Sequence, residues 1–188
     1  MPLNLPNLLT WLRIFLVPLL VLIYYLPPDW LAEHNRNVVA AGIFALAAVT
    51  DWLDGWLART LHQTSPFGAF LDPVADKLMV ATALIVLVRL GWVPAFIAVI
   101  IIGREITISA LREWMAKIGE GKSVAVAMIG KLKTISQMVA ILLLLYHDPL
   151  LGLDIAEIGK WLIYLAAALT LWSMVYYLQR APSRVWRS

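Results

Sequence analysis

Residues 51–76 read DWLDGWLARTLHQTSPFGAFLDPVAD and hold two pairs of carboxylates in a chain that is otherwise mostly apolar. Asp51 and Asp54 are spaced i,i+3, and Asp72 and Asp76 are spaced i,i+4. Both spacings place the members of a pair on one face of a helix. A short polar turn separates the pairs. The stretch therefore predicts a helix end, a turn and a helix start, with all four acids at one level.

Residues with almost no side chain accompany both pairs. At about 100° per residue, Gly55 and Ala58 fall near the face of the first pair, and Gly68 falls near the face of the second. This leaves room beside the carboxylates for a bulky group. Arg59 follows Ala58 and supplies a fixed positive charge.

Four converging carboxylates cannot all ionise in a dry site unless cations neutralise them. Hard oxygen ligands suit Mg²⁺ or Mn²⁺, and two such ions bridged by carboxylates are a known arrangement for displacement at phosphorus. The alternative is that the acids cap helices or face water. Asp72, just before Pro73, could be an N-cap with proline at the first helical position. Because all four acids adjoin long apolar segments, a metal site is favoured over four separate caps.

The composition indicates a membrane protein. The 188 residues are 62% hydrophobic with a mean hydropathy of +0.81, whereas a soluble domain is about half apolar. The chain has no cysteine, which excludes disulfide and thiol chemistry. It also has no basic groove with interleaved aromatic residues, so we expect no nucleic-acid partner. We expect one all-α integral membrane domain over residues 1–188, whose first residues are the start of the mature protein.

Six apolar segments predict a bundle of six transmembrane helices. We expect the helices at about residues 7–26, 38–58, 68–90, 92–114, 124–146 and 158–178, and polar loops at 27–37 and 147–157. Six spans place both termini on one side of the membrane.

Basic residues are concentrated on the side of the termini. They are Arg13, Arg59, Arg112, Lys117, Lys122, Lys131, Lys133, Arg180, Arg184 and Arg187. The other side has Arg36, Arg89 and Lys160 among five acids, together with His34 and His147, which we expect to lie far from any site. The positive-inside rule then places the termini and the acidic stretch in the cytoplasm.

Arg104 and Glu105 lie near the middle of the fourth predicted span. A charge there costs roughly 2.5–3.5 kcal/mol on insertion scales, so it should face a polar cavity. With Arg112 and the lysines of GKLKT, Lys131 and Lys133, Arg104 could form a cationic pocket for a phosphate. The alternatives are snorkelling for the lysines and an internal ion pair for Arg104. A direct pair with Glu105 is geometrically poor because adjacent residues do not share a helix face.

The pattern D-x2-D-G-x2-A-R-x8-G-x3-D-x3-D is met at every position by the residues named above between Asp51 and Asp76. In this the chain resembles the CDP-alcohol phosphatidyltransferase family. The resemblance implies a six-helix membrane fold, a homodimer and a divalent-metal-dependent transferase. Such enzymes move a phosphatidyl or related group from a CDP-linked donor to an alcohol and release CMP.

The resemblance also implies residue roles. Asp51, Asp54 and Asp72 would hold two ions, Mg²⁺ or Mn²⁺, and Asp76 would contact metal and deprotonate the acceptor. The cytidine nucleotide would lie on the three metal-binding aspartates and on the motif's small and basic residues, Gly55, Ala58, Arg59 and Gly68. Asn7 and Thr10 form a polar stripe with Arg13 at i, i+3 and i+6. These three residues either cap the helix and extend toward the membrane surface, or they contact the nucleotide.

Segments outside the motif, such as LPNLLTWLRIFLVP at 5–18 and GREITISALREWMA at 103–116, resemble bacterial members of the family. That likeness implies CDP-diacylglycerol as donor, sn-glycerol 3-phosphate as acceptor and a place in the bacterial cytoplasmic membrane. The open alternatives are a related enzyme that uses serine, inositol phosphate or phosphatidylglycerol, and a divalent-cation transporter. A transporter would be expected to hold its acids at the bilayer midplane.

Overall fold

The structure is a computed structural model that describes residues 5–60, 66–117 and 128–180. Within these ranges it does not describe the side chains of residues 5, 6, 55, 58, 59, 66, 67, 69, 112, 116, 128–131 and 176–180.

The described residues form six α-helices, which confirms the predicted all-α class. The helices are α1 (Leu5–Ile23), α2 (Glu33–Thr60), α3 (Pro66–Arg89), α4 (Ala95–Lys117), α5 (Met128–Tyr146) and α6 (Ile155–Arg180). Within the described ranges the only strand-like pairing is one isolated bridge between Leu150 and Leu153.

Both predicted polar loops are shorter than the sequence suggested. α2 begins at Glu33, five residues before the expected start, where a carboxylate favours the positive end of the helix dipole. Arg36 in its first turn donates to the carbonyl oxygens of Leu26 at 3.0 Å and Leu31 at 3.3 Å. α6 likewise begins at Ile155, because the Asp154 carboxylate accepts a hydrogen bond from the Glu157 amide at 3.0 Å and acts as an N-cap.

The capping interpretation of Asp72 is wrong. α3 begins at Pro66, so Asp72 and Pro73 lie inside the helix rather than at its start. Proline within a helix removes one backbone hydrogen bond. The acid pair Asp72/Asp76 therefore projects from a helix that is already formed.

The other end of α3 closes with a glycine. Gly91 has φ +76°, a left-handed conformation that favours glycine, and its amide donates to the Val88 carbonyl at 3.0 Å. The Trp92 amide donates to the Leu87 carbonyl, also at 3.0 Å, which completes a Schellman motif. The sharp stop separates α3 from α4, as the sequence predicted.

α1 is the element against which both acidic helices pack. α2 and α3 each contact α1 more extensively than they contact each other. The core at this junction includes Leu20, Phe44 and Leu84, all fully buried. α5 packs most closely on α6, where a Cβ added to Gly159 would lie 2.9 Å from the Leu144 Cγ atom.

Two segments in the described ranges, Glu33–Asp54 and Ile155–Val175, are long and apolar enough to cross a membrane. Asn7–Ile23 and Leu132–Tyr146 are apolar but shorter. α3 and α4 carry charged residues along their length. The outer faces of the helices are strongly apolar, with Phe15, Val99 and Trp161 among the most exposed side chains. The structure is thus all-helical and consistent with a membrane protein.

Candidate active site

The polar stripe of α1 faces the protein interior. Asn7, Thr10 and Arg13 are all buried, and the Arg13 side chain is only 1% exposed. Snorkelling of Arg13 to an interface is therefore wrong. Because i, i+3 and i+6 follow one face of a helix, the stripe presents three polar side chains along the same side of α1.

Arg13 ties together the first acid pair. Its Nη1 donates to Oδ1 of Asp51 at 2.7 Å, and its Nη2 donates to Oδ2 of Asp54. Asp51 is 47% exposed, whereas Asp54 is 3% exposed, so one end of this arrangement reaches the surface and the other is buried. A guanidinium suits this role because its donors lie in a rigid planar fork.

The second acid pair also contacts α1. The Thr10 hydroxyl donates to Oδ1 of Asp72. Thr10 and Arg13 are one helical turn apart, so neighbouring positions on α1 hold an acid from α3 and two acids from α2. Asp76 in turn interacts electrostatically with both Asp51 and Arg13. The side chains of α1 thus join the two acid pairs.

The sequence placed Arg13 in a stripe that could contact the nucleotide, but it did not predict that Arg13 pairs with Asp51 and Asp54. The signal was present, since Arg13 completes the stripe of Asn7 and Thr10. What the spacing could not give was which neighbouring helix that stripe faces.

Asp76 opens onto a small cavity of about 100 Å³ between α3, α4 and α5. Its lining is mixed, with acids, a lysine, a hydroxyl, an amide and apolar side chains. The lining residues are Asp76, Lys77, Val80, Glu105, Thr134, Gln137 and Met138.

Glu105 contacts two of the basic residues that we expected in the acceptor pocket. Lys133 Nζ donates to Glu105 Oε1, and Arg104 Nη1 approaches the same oxygen at 3.4 Å. Arg104 Nη2 also donates to the Ser173 hydroxyl at 3.2 Å. Lys133 is 1% exposed, so snorkelling is wrong for this lysine.

The sequence predicted that a direct pair between Arg104 and Glu105 would have poor geometry. They do make contact, but at 3.4 Å the separation exceeds the 2.7–2.9 Å typical of charge-assisted hydrogen bonds, as expected for adjacent helical residues. The closer partner of Glu105 is Lys133 on α5. The structure therefore brings Arg104 and Lys133 together around one carboxylate. The side chains of Arg112 and Lys131 lie outside the described residues.

The other residues that we expected to contact the nucleotide are described only in part. Gly68 is buried near the start of α3, and Asn7 is buried on α1. Gly55, Ala58 and Arg59 belong to α2, but their side chains lie outside the described residues.

The oxygen ligands that the four aspartates supply are of the kind that hard divalent cations prefer. Asp51, Asp54, Asp72 and Asp76 supply carboxylate oxygens from two helices that meet on α1, and Asp51 is accessible from the surface. Across the described ranges, no three acids or histidines are gathered tightly enough to enclose an ion in this conformation. Asp51 and Asp54 instead face the guanidinium of Arg13, a positive charge in the position of a counter-ion.

His34, in the first turn of α2, and His147, which follows α5, lie at the opposite end of the bundle. His34 pairs with Asp148 at 2.8 Å, and His147 stacks on Trp92 with ring centroids 3.7 Å apart. His34 precedes Asp51 by 17 positions on α2, which at a rise of about 1.5 Å per residue is about 25 Å. Burial lowers the pKa of His147 below its usual range, while the nearby Asp148 carboxylate opposes that shift.

Comparison with known proteins gives a likeness over nearly the whole chain. The sequence profile described as CDP-alcohol phosphatidyltransferase matches residues 3–172. Curated proteins from Escherichia coli, at 50% identity, and from Shigella flexneri and Salmonella choleraesuis, at 49%, align over 183 residues. Each alignment covers 96% of this chain and 96% of the relative. All three relatives are named CDP-diacylglycerol–glycerol-3-phosphate 3-phosphatidyltransferase.

Proposed function

Because the chain belongs to the CDP-alcohol phosphatidyltransferase family, we propose that it is a phosphatidylglycerophosphate synthase. It transfers the phosphatidyl group of CDP-diacylglycerol to sn-glycerol 3-phosphate, giving phosphatidylglycerophosphate and CMP in phospholipid biosynthesis. The observation that carries the proposal is the identity of about half of all residues, over 96% of both chains, to relatives named for this reaction.

The reaction is a displacement at phosphorus. A hydroxyl oxygen of glycerol 3-phosphate forms a bond to the phosphorus that bears diacylglycerol, and the bond from that phosphorus to the oxygen of CMP breaks. Asp76 takes the proton of the attacking hydroxyl, for which it is suited by its place on the cavity wall. CMP leaves with the electron pair of the broken bond.

Asp51, Asp54, Asp72 and Asp76 would hold two ions, Mg²⁺ or Mn²⁺. When bound, these ions would neutralise the diphosphate and the departing phosphate. Arg13 fixes the positions of Asp51 and Asp54, and Thr10 fixes Asp72. With Asn7, the motif residues Gly55, Ala58, Arg59 and Gly68 would accommodate the nucleotide.

The phosphate of the acceptor is assigned to the basic residues behind the cavity. Arg104 and Lys133 are gathered at Glu105, which itself lines the cavity. Arg112 and Lys131 complete this group by sequence position. The pairing with Glu105 keeps two buried cations compensated before the acceptor arrives, since an unpaired buried charge is costly.

We place the protein in the bacterial cytoplasmic membrane as a multi-pass homodimer, with termini and active site on the cytoplasmic side. The apolar outer faces of the helices and the bias of Lys and Arg toward the termini support this placement. The diacylglycerol tails would then stay in lipid while the diphosphate reaches the acids.

The test is CMP release by the purified protein in detergent with Mg²⁺ and CDP-diacylglycerol, with one acceptor offered at a time. We expect release with glycerol 3-phosphate and not with serine, inositol phosphate or phosphatidylglycerol. Release with another of these acceptors would keep the family and overturn the acceptor. A folded protein that binds Mg²⁺ but releases CMP with none of them would favour the transporter alternative.

A further inference from the structure

The cavity beside Asp76 contains a buried amide that lacks a partner. Gln137 on α5 lines this cavity, and its side chain is only 3% exposed. Its Oε1 atom is buried and has no hydrogen-bond partner among the described residues. Buried polar groups are nearly always paired, so an unpaired amide oxygen beside a cavity points to a missing hydrogen-bond donor.

The other polar groups around the cavity favour the same kind of ligand. Asp76 and Glu105 bring carboxylate oxygens, which accept hydrogen bonds, whereas Thr134 brings a hydroxyl and Lys77 an ammonium donor. A hydroxyl group both donates and accepts hydrogen bonds, so it can pair with carboxylate and amide oxygens and with an ammonium or hydroxyl group as well. A cavity of this composition therefore suits the hydroxyl-bearing part of a small polyol.

The size of the cavity limits that polyol. At about 100 Å³ it is smaller than the roughly 150 Å³ engineered cavity that takes one benzene ring. It can hold a three-carbon chain with hydroxyl groups, whereas a six-membered ring with a hydroxyl on every carbon would not fit without rearrangement.

We propose that Gln137 is a specificity-determining residue whose amide oxygen accepts a hydrogen bond from the non-reacting C2 hydroxyl of the acceptor. The inference rests on the proposed function. Asp76 on α3 and Gln137 on α5 line the same cavity, so one receives the reacting hydroxyl and the other the hydroxyl beside it. Gln137 thereby sets the orientation of the three-carbon chain in front of the base.

The experiment compares two acceptors that differ only at C2, sn-glycerol 3-phosphate and 3-hydroxypropyl phosphate, which lacks the C2 hydroxyl. A site that hydrogen-bonds a substrate hydroxyl discriminates against the analogue without it, so we expect wild-type kcat/KM to favour glycerol 3-phosphate by about 10–100-fold. In Gln137→Met, which keeps the length but not the acceptor oxygen, we expect the ratio to fall to within about threefold of unity. Most of that loss should come from glycerol 3-phosphate.

Two further variants separate hydrogen bonding from cavity shape. Met138→Leu changes the neighbouring wall with little change in volume and should keep the wild-type ratio. Gln137→Glu retains an acceptor oxygen and should keep the preference for glycerol 3-phosphate even if its overall rate falls. Thermal unfolding of each variant, with and without CDP-diacylglycerol, checks that the fold and donor site survive.

The outcomes distinguish the two proposals. No CMP release with either acceptor from wild-type protein would overturn the proposed function and this inference with it. Turnover of glycerol 3-phosphate with equal use of the two acceptors by wild type would overturn the inference alone, whether or not Gln137→Met folds. An unchanged ratio in a folded Gln137→Met would also overturn the inference alone, because the preference for the C2 hydroxyl would then come from another residue.

Discussion

Arg13 is the residue whose replacement tests the architecture of the site most directly. Its side chain is 1% exposed, and it pairs with a partly exposed Asp51 and a buried Asp54. We consider Arg13→Met, which keeps an unbranched side chain of similar length and removes the charge and both hydrogen bonds.

The two ion pairs are of unequal value. Removing one partner of a buried pair costs about 3–5 kcal/mol because the other charge stays buried, whereas an exposed pair is worth about 0–1 kcal/mol. The Asp54 contact therefore dominates, and the expected destabilisation is about 3–5 kcal/mol. For a chain of this size, 1 kcal/mol corresponds to roughly 2–4 °C, so Tm should fall by about 6–20 °C.

The assay is thermal unfolding of the purified protein in detergent with a chelator and again with Mg²⁺. Because Asp51 and Asp54 lose their cation in Arg13→Met, we expect Mg²⁺ to raise Tm more in the variant than in wild type. The matched control is Arg89→Met. Arg89 is exposed, and its guanidinium lies 4.1 Å from the centroid of the Tyr25 ring, a contact worth about 0.5–1 kcal/mol at an exposed site.

A double variant sharpens the test. If the cost arises from a buried uncompensated carboxylate, Arg13→Met with Asp54→Asn should be more stable than Arg13→Met alone. An Arg13→Met protein as stable as wild type in chelator would refute the view that Arg13 is the counter-ion of the first acid pair. So would a double variant whose loss is the sum of the two single losses.

Three further predictions concern the base, the packing of α5 on α6 and the far end of the bundle. Asp76→Asn should keep the fold and the thermal shift caused by CDP-diacylglycerol but lose CMP release by at least about 100-fold, as for loss of a general base; normal turnover would remove Asp76 from that role. Gly159→Ala should lower stability by about 1–3 kcal/mol in thermal or denaturant unfolding, since the new Cβ would lie 2.9 Å from Leu144. The control Gly42→Ala, with nothing within 4 Å of its new Cβ, should be neutral or stabilising. Equal effects of the two substitutions would contradict the close approach of Gly159 to Leu144. Burial lowers the pKa of His147, so the unfolded chain binds more protons and the stability of the fold falls as pH drops below about 6.5. In His147→Asn, which tolerates the φ of 60° at this position, Tm should therefore fall less between pH 7.5 and 5.5 than it does in wild type. An equal fall in Tm would exclude His147 as a source of acid sensitivity.

The sequence predicted the number and order of the helices because each apolar segment is long and ends at a proline, a glycine or a polar cluster. It predicted the shared faces of the acid pairs because spacing along a helix fixes direction around its axis. The starts of α2 and α6 were wrong by three to five residues. Both errors concern acids that the sequence assigned to polar loops. Glu33 lies in the first turn of α2, and Asp154 is the N-cap of α6.

Partners across helices could not be predicted from spacing. From the sequence, Lys133 could either join a phosphate pocket or anchor the protein at a membrane surface. Its burial against Glu105 depends on how α5 meets α4. The sequence did not indicate a role for Gln137, because a single glutamine on an apolar helix forms no recognisable motif. Its significance comes from an unpaired oxygen beside a cavity, which only a three-dimensional arrangement of α3, α4 and α5 creates.

Among the described residues, α1 is the element that links the two acid pairs. α2 and α3 pack more on α1 than on each other, and α1 contacts both acid pairs through Thr10 and Arg13. Because these two residues lie one turn apart on the same face, any sliding of α1 displaces the partners of both pairs together. A shift of one residue, about 1.5 Å along the axis with a rotation of about 100°, would take both side chains away from the acids at once. The polar stripe of α1 and the two acid pairs must therefore be in register for the site to form, and the interior position of this stripe follows from that requirement.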